Sequence, residues 1–146
     1  MRLGGTADAL TTVASTDDLI RALAWAHEHK KPYMMLGGGS NVIFSDGYPG
    51  LIIINGLHGF KIIKQDNLGV TLRIGAGEHW DDIVARTVAQ GYSGIERLSA
   101  IPGTAGATPV QNVGAYGAEI ADVLTELEAY DTTTGKVVTL KNADCN

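Results

Sequence analysis

Two stretches of this chain carry almost no side-chain bulk, and any fold must find a place for both. The first is Leu36-Gly37-Gly38-Gly39-Ser40-Asn41. The second runs from Ile101 to Gly117 as IPGTAGATPVQNVGAYG. Consecutive glycines reach left-handed conformations and let another group approach the backbone, because no Cβ intervenes. Successive amide N–H groups in such a loop point into one concavity that suits a phosphate, and Ser40 and Asn41 add side-chain donors. No Gly-Lys-Ser/Thr follows, as a Walker loop requires. Val42-Ile43-Phe44 reads as a strand where a dinucleotide fingerprint needs a helix. A plain strand-to-strand turn accounts for these glycines equally well. The second stretch would waste conformational entropy as a mere linker. Its small side chains leave room for a flat ligand, and the Gln111 and Asn112 amides match the donors and acceptors of a heterocycle rim. An irregular loop packed on itself is the alternative there.

Regular structure is expected around these loops. Ser15 or Thr16 caps a helix running to about Lys30, with Asp17 and Asp18 in its first turn, His27, His29 and Lys30 in its last, and Pro32 beyond. That is the charge order the helix dipole favours. Leu19, Ile20, Leu23 and Ala26 share its apolar face. Val13-Ala14 reads as a short strand, and Tyr33–Leu36, Val42–Phe44 and Leu51–Ile54 as further strands, the last two separated by the turn Ser45–Gly50. The first 55 or so residues therefore read β-α-β-β-β. Phe60–Gln65 and Val70–Ile74 form a hairpin around Asp66-Asn67-Leu68-Gly69. A second helix from about His79 to Gln90 buries Trp80, Ile83, Val84 and Val88, with Gly91 as its C-terminal cap. Leu127–Tyr130 and Val137–Leu140 close the sequence as a strand pair. The fold class expected is α+β with two lobes, residues 1–57 and 58–146.

Composition narrows the function. The net charge is −5, and the only adjacent basic pair, Lys30-Lys31, sits at a helix end, so no nucleic-acid partner is expected. No apolar run approaches the roughly 18 residues that span a bilayer, so no membrane partner is expected either. Cys145 is the sole cysteine, which fits a reducing, cytoplasmic setting. No metal site is expected, since HExxH, CxxC and EF-hand spacings are absent. His27 and His29, two apart on a helix, face different ways and read as solvated cations. His79 reads as a helix-start residue in preference to an acid-base group, and Asp81-Asp82 as first-turn acids. Met34-Met35 reads as core filling, and Cys145 as an exposed thiol.

Taken in order, RLGGTADAL, LGGGSN, GAGEHWDDIV and PGTAGATPVQNVGAYG resemble the FAD-binding motifs of the UDP-N-acetylenolpyruvoylglucosamine reductase family across nearly the whole chain. QNVGAYG is the most specific piece. The resemblance implies a FAD-binding fold of the PCMH/vanillyl-alcohol-oxidase type, its second lobe incomplete and its substrate-binding domain absent. It implies non-covalent FAD, with Gly37, Gly38, Gly39, Ser40 and Asn41 holding the pyrophosphate. Gly103, Thr108, Asn112, Gly114, Ala115, Tyr116 and Gly117 would line the phosphate and flavin side. It implies NADPH as co-substrate and a UDP-sugar enolpyruvyl ether as substrate, reduced to UDP-N-acetylmuramate for peptidoglycan. Ala107-Thr108 stands where some members have two adjacent serines, which removes one hydroxyl. The family's catalytic arginine follows the point matching Cys145, and its proton-donating serine and its glutamate lie further on. No catalytic residue is therefore assigned, and the chain reads as a fragment inactive alone, with an open sheet edge through which it self-associates. The alternatives are another oxidoreductase of the same flavoprotein superfamily and a non-catalytic nucleotide-binding module.

Overall fold

The computed structural model describes residues 4–44 and 47–145. Met1 to Leu3, Ser45-Asp46 of the expected turn and the terminal Asn146 lie outside the described residues. The first unit is a three-stranded, wholly parallel sheet in the order β1-β3-β2, formed by β1 (Ala7–Val13), β2 (Tyr33–Leu36) and β3 (Tyr48–Asn55), with α1 (Thr16–Glu28) packed on one face. β1 is longer than the two residues expected. Its alanines and threonines carry a weak apolar signal, yet burial alternates along it and ends on fully buried Val13. Ser15 is the helix N-cap, its hydroxyl accepting from the Asp18 amide at 3.1 Å. The helix buries Ala22 and Ala26 against Val13, Leu51 and Ile53, with Leu19 and Leu23 beside them, while Ile20 turns partly to solvent. Each valine, leucine or isoleucine among these, taken fully from water, contributes about 1.5–3 kcal/mol.

One expectation fails here. Val42-Ile43-Phe44 is not a strand, so this unit is β-α-β-β. The reason is topological. β2 and β3 are parallel neighbours, so the chain leaving the end of β2 must travel back to the start of β3 before pairing. The described residues 37–44 leave β2 on that return path, and Val42–Phe44 belongs to it. Ile43 is largely exposed, and β1 and β2 already occupy both edges of β3. Strand β3 also starts earlier than expected, taking in Pro49 and Gly50. A Cβ on Gly50 would lie 2.2 Å from the Pro32 carbonyl oxygen.

The second unit begins with the expected hairpin, β4 (Phe60–Asp66) and β5 (Gly69–Ile74), antiparallel with a register shift between Ile62 and Lys64. Helix α2 (Trp80–Ala89) follows. Trp80, Ile83 and Val84 join Leu98 and Ile120 in a second core, and the Trp80 indole N–H donates to the Leu98 carbonyl at 2.9 Å. Val88, expected in the apolar stripe, is half exposed; Thr87 takes the buried place and returns its hydroxyl to the Val84 carbonyl. Gly91 does follow the helix with a φ of 77°. The stretch beyond, read as irregular, contains short 3-10 turns and a two-residue ladder of β6 (Gly114–Ala115) and β7 (Ala118–Glu119). Strands β8 (Glu126–Asp131) and β9 (Lys136–Lys141) form the closing hairpin, tied to β5 by Arg73 and Glu128 at 2.5 Å.

Candidate functional site

Backbone hydrogen bonds bring the two glycine-rich stretches together. After β3 the segment 55–59 runs beside 75–77: the Gly77 amide donates to the Leu57 carbonyl at 2.9 Å and the Gly75 amide to the Gly59 carbonyl at 2.7 Å. The second glycine-rich stretch then lies on 76–80. The Ala105 amide donates to the Glu78 carbonyl at 2.8 Å, the Gly106 amide to the Ala76 carbonyl at 2.9 Å and the Trp80 amide to the Gly103 carbonyl at 3.1 Å. Thr104 is thereby pinned against the loop that leaves β2. A Cβ on Gly37 would sit 2.5 Å from the Thr104 hydroxyl oxygen, and one on Gly106 would sit 2.6 Å from the Ala76 Cβ. Both glycines are dictated by close approach, with ordinary backbone angles.

Between the stretches lies a cleft. Met35, Leu36, Gly37 and Asn55 form one wall, and Thr104, Gly106, Ala107, Val110 and Gln111 the other. None of these side chains is charged. Across the cleft the Asn41 Nδ2 group donates to Gln111 Oε1 at 2.9 Å. Among the described residues, the Gly38, Gly39 and Ser40 amides make no hydrogen bond within the protein. They are three adjacent donors at the end of a strand, the inventory a phosphate oxygen needs. A larger surface concavity lies elsewhere, between β1 and α1 around Trp25 and the Asp18–Arg21 ion pair. It contains no residue of either glycine-rich stretch.

The expected site residues divide into groups. Gly37 lines the cleft, Asn41 is hydrogen-bonded across it, and the Ser40 hydroxyl lies 3.8 Å from where a Gly103 Cβ would stand. Thr108 is buried, and its hydroxyl donates to the Ala105 carbonyl at 2.8 Å. Asn112 adopts a left-handed φ of 41°, and its side-chain amide donates to Glu119 at 2.9 Å. Gly114 to Gly117 are the first strand and turn of the small β6–β7 hairpin, outside the cleft lining. Tyr116 and Gly117 are its two turn residues, with φ of 53° and 75°, and the Tyr116 side chain is 87% exposed. Sequence reading left out Asn55, Thr104, Gly106, Val110 and Met35. Thr104 and Gly106 sit inside the motif that was read, whereas nothing around Asn55 distinguishes it. Met35, expected in the core, is 40% exposed at the cleft wall.

Several acids and histidines outside the cleft lining, and the cysteine, have structural partners. Asp81 accepts from the Ala100 amide at 2.7 Å and the Ser99 hydroxyl at 2.8 Å. These bonds, the backbone one foremost, hold its carboxyl below the usual aspartate range. Glu78 accepts from the Gly59 amide at 2.7 Å, with the His58 ring 3.6 Å away. His79 stands before α2 as its N-cap residue, 3.7 Å from Asp82. His29 stacks on Trp25 at 4.3 Å at the end of α1. Cys145, read as exposed, is half-buried, its thiol 3.3 Å from the Lys141 carbonyl. Among the described residues, no group of three or more His, Cys, Asp or Glu side chains is placed to hold a metal ion.

Comparison with known proteins adds four findings. The family model described as "FAD binding domain" matches residues 7–141. A UDP-N-acetylenolpyruvoylglucosamine reductase from Salinispora arenicola is 46% identical over 146 residues, which is 99% of this chain and 40% of that protein. Among solved structures, UDP-N-acetylenolpyruvylglucosamine reductase from Thermus caldophilus superposes with a TM-score of 0.70 at 26% identity, covering 92% of this chain and 46% of that one. The 6-hydroxy-D-nicotine oxidase of Arthrobacter nicotinovorans shares the fold, with a TM-score of 0.65 at 19% identity over 92% of this chain and 30% of its own. The chain thus spans about two fifths of the length of the curated relatives it matches. The α+β, PCMH-type fold class expected from the sequence is the one found.

Proposed function

This chain belongs to the FAD-binding-domain family, and from that premise we propose that it is the FAD-binding portion of a reductase acting on UDP-N-acetylglucosamine enolpyruvate. The observation that carries the reading is the row of open amides at Gly38, Gly39 and Ser40, directly after Gly37 in the wall of an uncharged cleft. A pyrophosphate is held there by backbone donors at the end of a parallel strand, where ligands of α/β sheets gather. The identity to named reductases over 99% of this chain supports the substrate assignment.

In this reading residues 1–57 and 58–146 are the two lobes that share the cofactor. Gly37 to Asn41 hold the pyrophosphate, and Gly103, Thr108, Asn112 and Gly114 to Gly117 shape the flavin side. The residues present fit such a group. Gly37 admits no side chain beside Thr104, and the cleft walls are uncharged, with apolar side chains beside the Asn55 and Gln111 amides. When bound, the cofactor would supply the hydride-transfer chemistry that links NADPH to the enolpyruvyl double bond. The described chain's contribution is to bind and orient the cofactor and to exclude water from it; we assign it no catalytic acid or base. The product, UDP-N-acetylmuramate, serves peptidoglycan synthesis, and through it cell shape and division, in the cytoplasm. No helix among the described residues is long and apolar enough to cross a membrane. Self-association through the edges of the two-stranded β8–β9 hairpin is part of the same proposal.

The test is the visible spectrum of the purified chain, followed by FAD titration if it is colourless. Saturable binding that weakens sharply in the Ser40→Ala/Asn41→Ala double variant is expected. Saturable binding untouched by that variant would remove the pyrophosphate from the loop, and no binding at all would remove the cofactor assignment.

A further inference from the structure

We infer that Gln111 is a positioning residue, one that locks Asn41 and thereby holds the glycine loop in its ligand-receiving shape. This rests on the FAD reading of the cleft. The hydrogen bond from Asn41 Nδ2 to Gln111 Oε1, at 2.9 Å, joins residues 70 apart in sequence and links the two glycine-rich stretches by their side chains. Both residues are exposed, and Gln111 also lines the cleft.

The chemistry makes the pairing directional. A primary amide has two N–H donors and one carbonyl acceptor. With Gln111 Oε1 taken by Asn41, the Gln111 Nε2 group keeps both of its donors. Asn41 keeps its Oδ1 and one N–H. The clasp therefore fixes the Asn41 amide without exhausting its bonding capacity, and it leaves donors from both residues at the rim of a cleft that has no cation. The loop it restrains, Gly37 to Asn41, has three glycines, and beyond the packing of Gly37 against Thr104 its backbone can sample many states. Without the clasp, ordering the loop falls on the ligand, and binding weakens accordingly. Val110, the neighbour of Gln111, is 83% exposed on the same wall. Holding Gln111 also holds that apolar side chain at the cleft, where the body of a flat ligand covers it.

The experiment has two arms. In the first, FAD affinity is measured for the wild-type chain, Gln111→Ala, Asn41→Ala and the double variant. Gln111→Ala is expected to weaken binding about fivefold, the effect of one ordinary hydrogen bond. In the Asn41→Ala background it is expected to change nothing, because the residue it positions is gone. An equal loss in both backgrounds would make Gln111 a direct ligand contact, and no loss in either would make it a bystander; each result overturns the inference. The second arm needs no cofactor: amide hydrogen exchange of the free chain. Gln111→Ala is expected to speed exchange across residues 37–41 several-fold, and Gln111→Glu, which keeps the accepting oxygen, to restore the protection. Unchanged exchange in Gln111→Ala overturns the inference even if FAD fails to bind. Absent FAD binding with intact clasp behaviour would defeat only the cofactor reading.

Discussion

Placing alanine at Gly37 tests how tightly the two glycine-rich stretches are locked together. The added Cβ would lie 2.5 Å from the Thr104 hydroxyl oxygen, 3.2 Å from its methyl carbon and 3.4 Å from its Cβ. The hydroxyl is thus about 0.9 Å inside the closest ordinary contact, taken as roughly 3.4 Å, and no rotation of a flexible tail relieves it. Thr104 is buried, and its backbone is bridged to His79, so the strain has nowhere cheap to go. Overpacking of this kind costs about 1–3 kcal/mol, offset by about 0.4–1 kcal/mol because alanine restricts the unfolded chain. Thr104→Ala removes both of the closest atoms and leaves only the contact at 3.4 Å. Among the described residues the Thr104 hydroxyl has no hydrogen-bond partner, so that change alone costs about 1 kcal/mol of lost burial. The double variant is then expected to be no less stable than Thr104→Ala by itself, a coupling of about 1–2 kcal/mol. Urea unfolding of the four proteins measures it. Additivity to within about 0.5 kcal/mol would refute the close approach of the two stretches.

Other consequences are equally checkable. Trp80→Phe leaves the buried Leu98 carbonyl without its indole donor and should cost about 1–3 kcal/mol in urea unfolding. Tyr116→Asn relieves a left-handed φ of 53° at a side chain that is 87% exposed. It should raise stability by about 1 kcal/mol while weakening FAD binding; destabilisation of that size would show contacts the ring is not credited with. Asp81 has a folded-state pKa below its unfolded one, so its contribution is full above the unfolded value, near 4, and is lost as pH falls through the folded value. Asp81→Asn should therefore flatten the acid limb of stability below about pH 5, followed by circular dichroism. An unchanged acid limb would count against the Ala100 and Ser99 bonds.

What could be read in the sequence was whatever one local period or one cap specifies. Helix α1 declared itself through Ser15, its first-turn aspartates and its alanine-leucine face, and the β4–β5 hairpin through its turn residues. β1 did not, because Ala9 and Thr11 alternate correctly but carry too little apolar area to be seen. Val42–Phe44 misled for the opposite reason: three apolar residues look like a strand when nothing local says that the next strand runs parallel. At the site, composition marked both glycine-rich stretches. Only the fold shows that Asn55 lines the cleft, or that Gln111 finds Asn41 across 70 residues. Such pairings depend on the register of segments that each look featureless alone.

The strand order β1-β3-β2 bears on the timing of assembly. Neither β1 nor β2 touches the other; both pair only with the strand that is made last. During synthesis the first 47 residues can form α1 but no ladder, and the glycine loop leaving β2 has no fixed anchor until Tyr48–Asn55 emerges between its two neighbours. The opposite cleft wall arrives about fifty residues later still. A cofactor therefore meets a finished cradle only after most of the described chain has left the ribosome, and loading belongs to the end of folding, with nothing for the ligand to nucleate early.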